Sequence, residues 1–168
     1  MQGLFIRDLA SSGARFLVIG GKAMQALGIE RDTVDVDIWV SRDEPTVESV
    51  FVTLKRFCGA PDVFRERLRE PNIRVPIPSE RDPEIDILTS IGDLSFDETY
   101  GAADEVAWQK LVLRVPNLDD MIRIKQVAIA STEGRIAAGE WNAAGVEEAR
   151  RGIARDERDI ALLRQRKV

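Results

Sequence analysis

The sequence predicts an α+β fold: a small mixed β-sheet with flanking helices over the first two thirds and a helical C-terminal third. Three observations carry this. Short apolar or alternating stretches at 16–19, 33–40 and 84–91 read as strands. Segments with apolar residues at helical spacing lie between them, and beyond Leu118 the pattern is helical throughout. At 168 residues the chain has the length of one domain, expected as a core over 1–116 with a helical region over 117–168 packed on it.

In order along the chain, Leu4, Phe5 and Leu9 before Gly13 predict a short amphipathic helix ended by a glycine. "RFLVIG" follows as a buried strand over 16–19. "GKAMQALG" is helix-like, with Ala23, Met24 and Leu27 on one side and Gly28 as C-cap. "TVDVDIWV" alternates with period two, placing Val34, Val36, Ile38 and Val40 on one face and Asp35, Asp37 and Trp39 on the other. In "SRDEPTVESVFVTLKRFCG", Ser41 reads as the N-cap of a helix whose apolar side is Val47, Val50, Phe51, Leu54 and Phe57. The charged "PDVFRERLREPN" leads to "IRVPIP", then to "EIDILTSI", an alternating strand with Asp86 between two isoleucines. "AWQKLVLRVP" reads as one or two edge strands. The C-terminal third reads as helical "LDDMIRIKQVAIAS", "EWNAAGVEEARRGI" and "RDERDIALLRQRK", with "STEGRIAAGE" at 131–140 as a mobile connection.

Composition narrows the chemistry. With no histidine and a single cysteine, Cys58, the chain has neither a Ser-His-Asp triad nor the usual ligands of a zinc site, so any metal must be held by oxygen. No apolar run approaches the about 20 residues of a membrane span, and the N-terminus has charges within its apolar spacing, so the expectation is a soluble, cytoplasmic protein without a membrane partner. The net charge of −5 is uneven: residues 150–168 carry +4 and the rest −9.

Asp35 and Asp37, on one strand face, would have Cα atoms roughly 6–7 Å apart, close enough to lean toward a shared divalent cation. A solvent-exposed face would also account for them. Without a cation, neighbouring carboxylates on a half-buried face repel each other and lose hydration. Gly20 and Gly21 stand between a strand and a helix start, where backbone N–H groups can face an anion. Arg31 and Thr33 add a cation and a hydroxyl just before Asp35. Asp86 supplies a third strand carboxylate, within about 5 Å of the first strand if the two pair.

These pieces, as "VIGGKA", "VDVDIW" and "EIDIL", resemble the nucleotidyltransferase superfamily with its polymerase β-like fold. "GGKAMQALGIERDTVDVDIWV", "LDDMIRIKQ" and "RDERDIALL" are similar to its minimal bacterial and archaeal members, including toxin-like nucleotidyltransferases, over about residues 4–163. The resemblance implies Mg²⁺ (or Mn²⁺) held by Asp35, Asp37 and Asp86, with Asp86 also helping to deprotonate the attacking hydroxyl in a two-metal arrangement. It implies an NTP substrate bound by Gly20, Gly21, Lys22, Arg31, Thr33 and Lys125. Asp156 and Asp159 would position that lysine. On the residues alone, Lys125 reads equally as a solvated helix charge, and Asp156 or Asp159 as an N-terminal cap of a last helix.

Two departures stand out. Many members carry serine after the first glycine, whereas here Gly21 is followed by Lys22, and the stretch between Lys125 and Asp156 is longer than in close relatives. The expected activity is transfer of an NMP to a hydroxyl on an RNA or tRNA end or on a protein, with a cognate antitoxin or another partner chain. The alternative is a catalytically silent nucleotide-binding or regulatory module of the same fold.

Overall fold

A computed structural model describes residues 2–77, 85–108 and 110–166; Pro78, Glu84, Gln109 and Lys167, which belong to predicted segments, lie outside them. The chain forms two compact units, Met1–Asn117 and Leu118–Val168. The first is α+β, with two sheets and five helices among the described residues; the second is a pair of helices, α6 (Leu118–Ala137) and α7 (Ala143–Arg166).

The first unit opens with α1 (Gln2–Ser11), which buries Phe5, Ile6 and Leu9. The four-stranded sheet follows from β1 (Phe16–Ile19), β2 (Val36–Val40), β3 (Arg74–Ile77) and β4 (Ile85–Leu88), in the order β1-β2-β4-β3. β2 and β4 run parallel, and the two outer pairs are antiparallel. The register gives the sheet two unlike faces. One is wholly apolar and buried: Phe16, Val18, Val36, Ile38, Val40, Ile85, Ile87, Val75 and Ile77. The other carries Leu17, Ile19, Trp39 and Leu88 together with Asp37, Asp86 and Arg74. Pro76 is tolerated because β3 is an edge strand.

Three helices interleave with these strands. α2 (Gly20–Ala26) starts on the residue after β1, and Gly28 beyond its end adopts positive φ. α3 (Glu44–Cys58) buries Val47, Val50, Phe51 and Leu54, and Gly59 ends it in the left-handed conformation. Its N-cap is Asp43 rather than the expected Ser41: Asp43 accepts from the Thr46 N–H at 2.8 Å, while the Ser41 hydroxyl donates to Asp43 at 2.6 Å. Burial pushes the Asp43 carboxyl up, but these hydrogen bonds and the charge of Arg15 outweigh it and leave its pKa below the ordinary value. The charged 61–72 stretch holds a short α4 (Val63–Arg67), with the Arg65 guanidinium 4.3 Å from the centre of the Phe51 ring.

α5 (Phe96–Gly101), absent from the sequence reading, is capped by Ser95 and sets Phe96 edge-on to Trp39 at 5.2 Å. Its six residues are too few for a helical period to show. The predicted edge strands are a hairpin, β5 (Asp104–Trp108) and β6 (Leu111–Val115), forming a separate two-stranded sheet. In the second unit α6 runs through residues 131–137, so most of the expected mobile connection is helix, and the two later helical segments are the single α7. Asn142 caps α7, accepting from the Gly145 N–H at 2.9 Å. Just before it, Arg135 pairs with Glu140 at 2.6 Å and lies 4.1 Å from the centre of the Trp141 ring. No described helix is long and apolar enough to cross a membrane.

Candidate active site

The site grows from the junction of β1, α2, β2 and β4. Asp37 pairs in register with Ile19 on one side and with Asp86 on the other. Parallel neighbours in register point to the same sheet face, with strands about 4.8 Å apart, so the sheet itself brings these two carboxylates together. Gly20 follows Ile19 and lies under the Asp37 side chain. A Cβ built on Gly20 would fall 2.1 Å from Asp37 Oδ2, and Gly20 has a φ of +65°. Only glycine meets both demands. Gly21 is confined differently: its Cβ would fall 2.6 Å from Cβ of Thr33. The two glycines are thus seats for Asp37 and Thr33.

Thr33 and its neighbours form a strap over α2. Lys22 Nζ donates to the Thr33 carbonyl at 3.1 Å and to Gln25 at 3.3 Å, and Gln25 donates to the Arg31 carbonyl at 2.6 Å. The Arg31 guanidinium turns back to the carbonyl of Asp32. Lys22 and Thr33 therefore lie together beside the glycine turn, while Arg31 is held at the C-terminal half of α2 through Gln25.

Asp35 departs from the expectation. β2 begins at Val36, so Asp35 lies one residue outside the strand, exposed, and the register pair at the site is Asp37 with Asp86. β1 gives way to α2 opposite Asp37, and the described pairing with β4 runs from Val36 with Ile85. Residues 33–35 thus have no strand to pair with in the described ladder, and Val34, expected on the apolar face, is exposed.

Asp86 is buried, at 5% exposure, and its carboxylate is held by a residue the sequence reading did not single out. Arg74 of β3 donates from Nε to Oδ1 at 2.9 Å and from Nη2 to Oδ2 at 2.5 Å, a two-pronged guanidinium–carboxylate pair. A buried carboxylate without such a partner would carry a desolvation penalty of several kcal/mol. The signal lay in "IRVPIP", where Arg74 and Pro76 alternate with two buried apolar residues. What the sequence lacked was the register that sets β3 beside β4.

Lys125 lies in the second unit, on α6. It is buried, and its ammonium donates to Asp156 at 2.6 Å and to Asp159 at 2.7 Å, both on α7. Burial removes the reading of a solvated helix charge. Asp156 and Asp159 lie well inside α7, which removes the reading of them as helix caps.

The donor set around Asp37 and Asp86 consists of oxygens and suits a hard divalent cation such as Mg²⁺ or Mn²⁺. Side chains as placed do not bring three possible ligands together anywhere among the described residues. At this site Asp86 turns to Arg74, and Asp35 stands outside the strand.

Comparison with known protein families supplies the class of protein to which this α+β chain belongs. Residues 3–137 match the family described as nucleotidyl transferase of unknown function (DUF2204). The chain belongs to this family, and is on that ground a nucleotidyltransferase. No curated protein matches the sequence. Among solved structures it is similar to the crystal structure of ANT(2″)-Ia in complex with adenylyl-2″-tobramycin, with a TM-score of 0.43 and 13% identity over 99% of each chain.

Proposed function

We propose that the protein transfers an NMP from an NTP to a hydroxyl acceptor, releasing pyrophosphate, in a reaction dependent on Mg²⁺ (or Mn²⁺). The observation that carries this reading is the register pairing of Asp37 with Asp86 beside the Gly20–Gly21 turn, within a chain of the nucleotidyl transferase family. Asp37 and Asp86 would hold the cation, joined by Asp35 from the start of β2. When bound, the cation supplies charge neutralisation for the triphosphate and a lowered pKa for the attacking hydroxyl.

This chain's own residues do the rest. The Gly20–Gly21 backbone and Lys22 bind the triphosphate, with Thr33 beside the turn and Arg31 reaching the nucleotide from the strap over α2. Asp86 takes the proton of the acceptor hydroxyl. Lys125, with Asp156 and Asp159 positioning it, belongs to the nucleotide-binding set by family resemblance. The acceptor we favour is an RNA end, tRNA included, because residues 150–168, most of them in α7, carry a net charge of +4 in a chain whose net charge is −5. A protein hydroxyl is the other acceptor class. Resemblance to toxin-like members extends the proposal to a cognate antitoxin or partner chain.

Incubating the purified protein with Mg²⁺ and each labelled NTP, with and without total tRNA, tests this reading. Label on RNA or protein is expected, with the transfer lost in Asp37→Asn. No label with any NTP and acceptor, together with NTP binding that Asp37→Asn leaves unchanged, refutes it and favours a silent binding module.

A further inference from the structure

The carboxylate assigned the closest part in the chemistry is already engaged at both oxygens. Asp86 is buried and Arg74 grips it with two hydrogen bonds, while the Arg74 side chain itself is 66% exposed. A carboxylate offers about four lone-pair sites and Arg74 takes one on each oxygen, while its positive charge, lodged against Asp86, repels a second cation approaching the same anion. The two cations, guanidinium and metal, therefore compete for one anion.

We propose that Arg74 is a positioning residue that holds Asp86 against premature metal binding and gives it up when metal and nucleotide arrive together; this rests on the reading of Asp86 as a metal-holding carboxylate. The geometry makes the exchange feasible. Arg74 stands on the edge strand β3 and on the same sheet face as Asp37 and Asp86, so its guanidinium reaches Asp86 from the sheet's margin rather than from the core. Its exposure lets it swing away without opening the apolar layer on the opposite face, where Val75 and Ile77 are anchored. A guanidinium matches phosphate oxygens as well as it matches a carboxylate. An NTP therefore offers Arg74 a replacement partner at the moment the metal takes Asp86.

The consequence is a measurable antagonism between Arg74 and metal in the absence of nucleotide. Free Mn²⁺ is followed by electron paramagnetic resonance during titration of the wild type, Arg74→Gln, Asp86→Asn and the double variant. Removing a charge-paired guanidinium is expected to tighten Mn²⁺ binding by roughly tenfold or more in Arg74→Gln. If the gain came only from lowering the positive charge of the surface, it would survive in the Asp86→Asn background. Competition for Asp86 predicts that it vanishes there, leaving less than about a twofold difference between the double variant and Asp86→Asn.

Arg74→Lys keeps the charge but not the two-pronged grip, and is expected to bind Mn²⁺ more tightly than the wild type by a smaller factor. It provides the same test should Arg74→Gln not fold. Equal or weaker Mn²⁺ binding in the Arg74 variants, an undiminished gain in the Asp86→Asn background, or Mn²⁺ bound by none of the proteins overturns the inference. Label transfer by the wild type is scored separately: its absence counts against the proposed function, while the pattern of Mn²⁺ affinities decides the role of Arg74.

Discussion

Replacing Lys125 by methionine isolates the strongest electrostatic commitment of the helical unit. The Lys125 side chain is 8% exposed, and its ammonium lies 2.7 Å from the carboxylate of Asp159, whose side chain is 3% exposed, with Asp156 at 2.6 Å. Methionine nearly matches the lysine stem in volume, so the change removes charge and hydrogen bonds with little loss of packing. It leaves two neighbouring carboxylates, one of them on a buried side chain, without the ammonium that bridges them. Breaking a buried pair in this way costs about 3–5 kcal/mol, because the surviving charge cannot return to water. For a chain of this length such a loss lowers Tm by about 10 °C. The assay is thermal and urea unfolding followed by circular dichroism. Restoring neutrality with Lys125→Met, Asp156→Asn and Asp159→Leu together should recover most of the loss, since a buried ion network can be exchanged for apolar packing at little net cost. A loss below about 1 kcal/mol in Lys125→Met would show that the triad is neither buried nor paired as described, and would refute the reasoning.

Two further outcomes follow from the core unit. Gly20→Ala places a methyl group on the Asp37 carboxylate and forces a left-handed alanine, so it should destabilise by about 1–3 kcal/mol and weaken NTP binding; a variant with wild-type Tm and wild-type NTP affinity by calorimetry would show that the glycine is not the seat of Asp37. Asp43→Ala removes the α3 cap and should cost about 1 kcal/mol at neutral pH. Because folding lowers the Asp43 pKa, its contribution is present above the unfolded carboxylate value of about 4 and is lost as pH falls through the folded one, so the difference in urea midpoint between wild type and Asp43→Ala should shrink below pH 4.

The parts of this fold that could be read from the sequence are those whose signal is local. β1 is a continuous apolar run, α3 carries a full helical stripe between Asp43 and Gly59, and β4 alternates around Asp86. Apart from α5, too short to show a period, the misreadings concern where an element begins or ends. Residues 33–35 alternate as well as 36–40 do, yet the strand starts at Val36, where β1 has already turned into α2. Ser41 is as good a cap residue as Asp43, and the choice falls to Asp43 because it sits directly before the helix with Ser41 and Arg15 to support its charge. At 131–137 the polar run looked like a connection, but helical hydrogen bonding continues through it to the turn that Asn142 closes.

The same distinction explains why Asp37 and Asp86 each stood out in the sequence and Arg74 did not. A carboxylate inside an apolar strand is anomalous by itself, because burying it is unfavourable wherever it pairs. An arginine near the end of a charged stretch is ordinary until β3 is known to lie beside β4. The two faces of the sheet account for how the fold tolerates the anomaly. Fully burying a valine, isoleucine or phenylalanine is worth about 1.5–3 kcal/mol, and one face of the sheet is built of these residues alone. That face secures the strands whatever happens on the other. The opposite face is free to carry charge, with Asp86 kept in place by an arginine from the edge strand. Stability and chemistry are thereby assigned to opposite sides of the same four strands, and an exchange of partners at Asp86 leaves the apolar layer undisturbed.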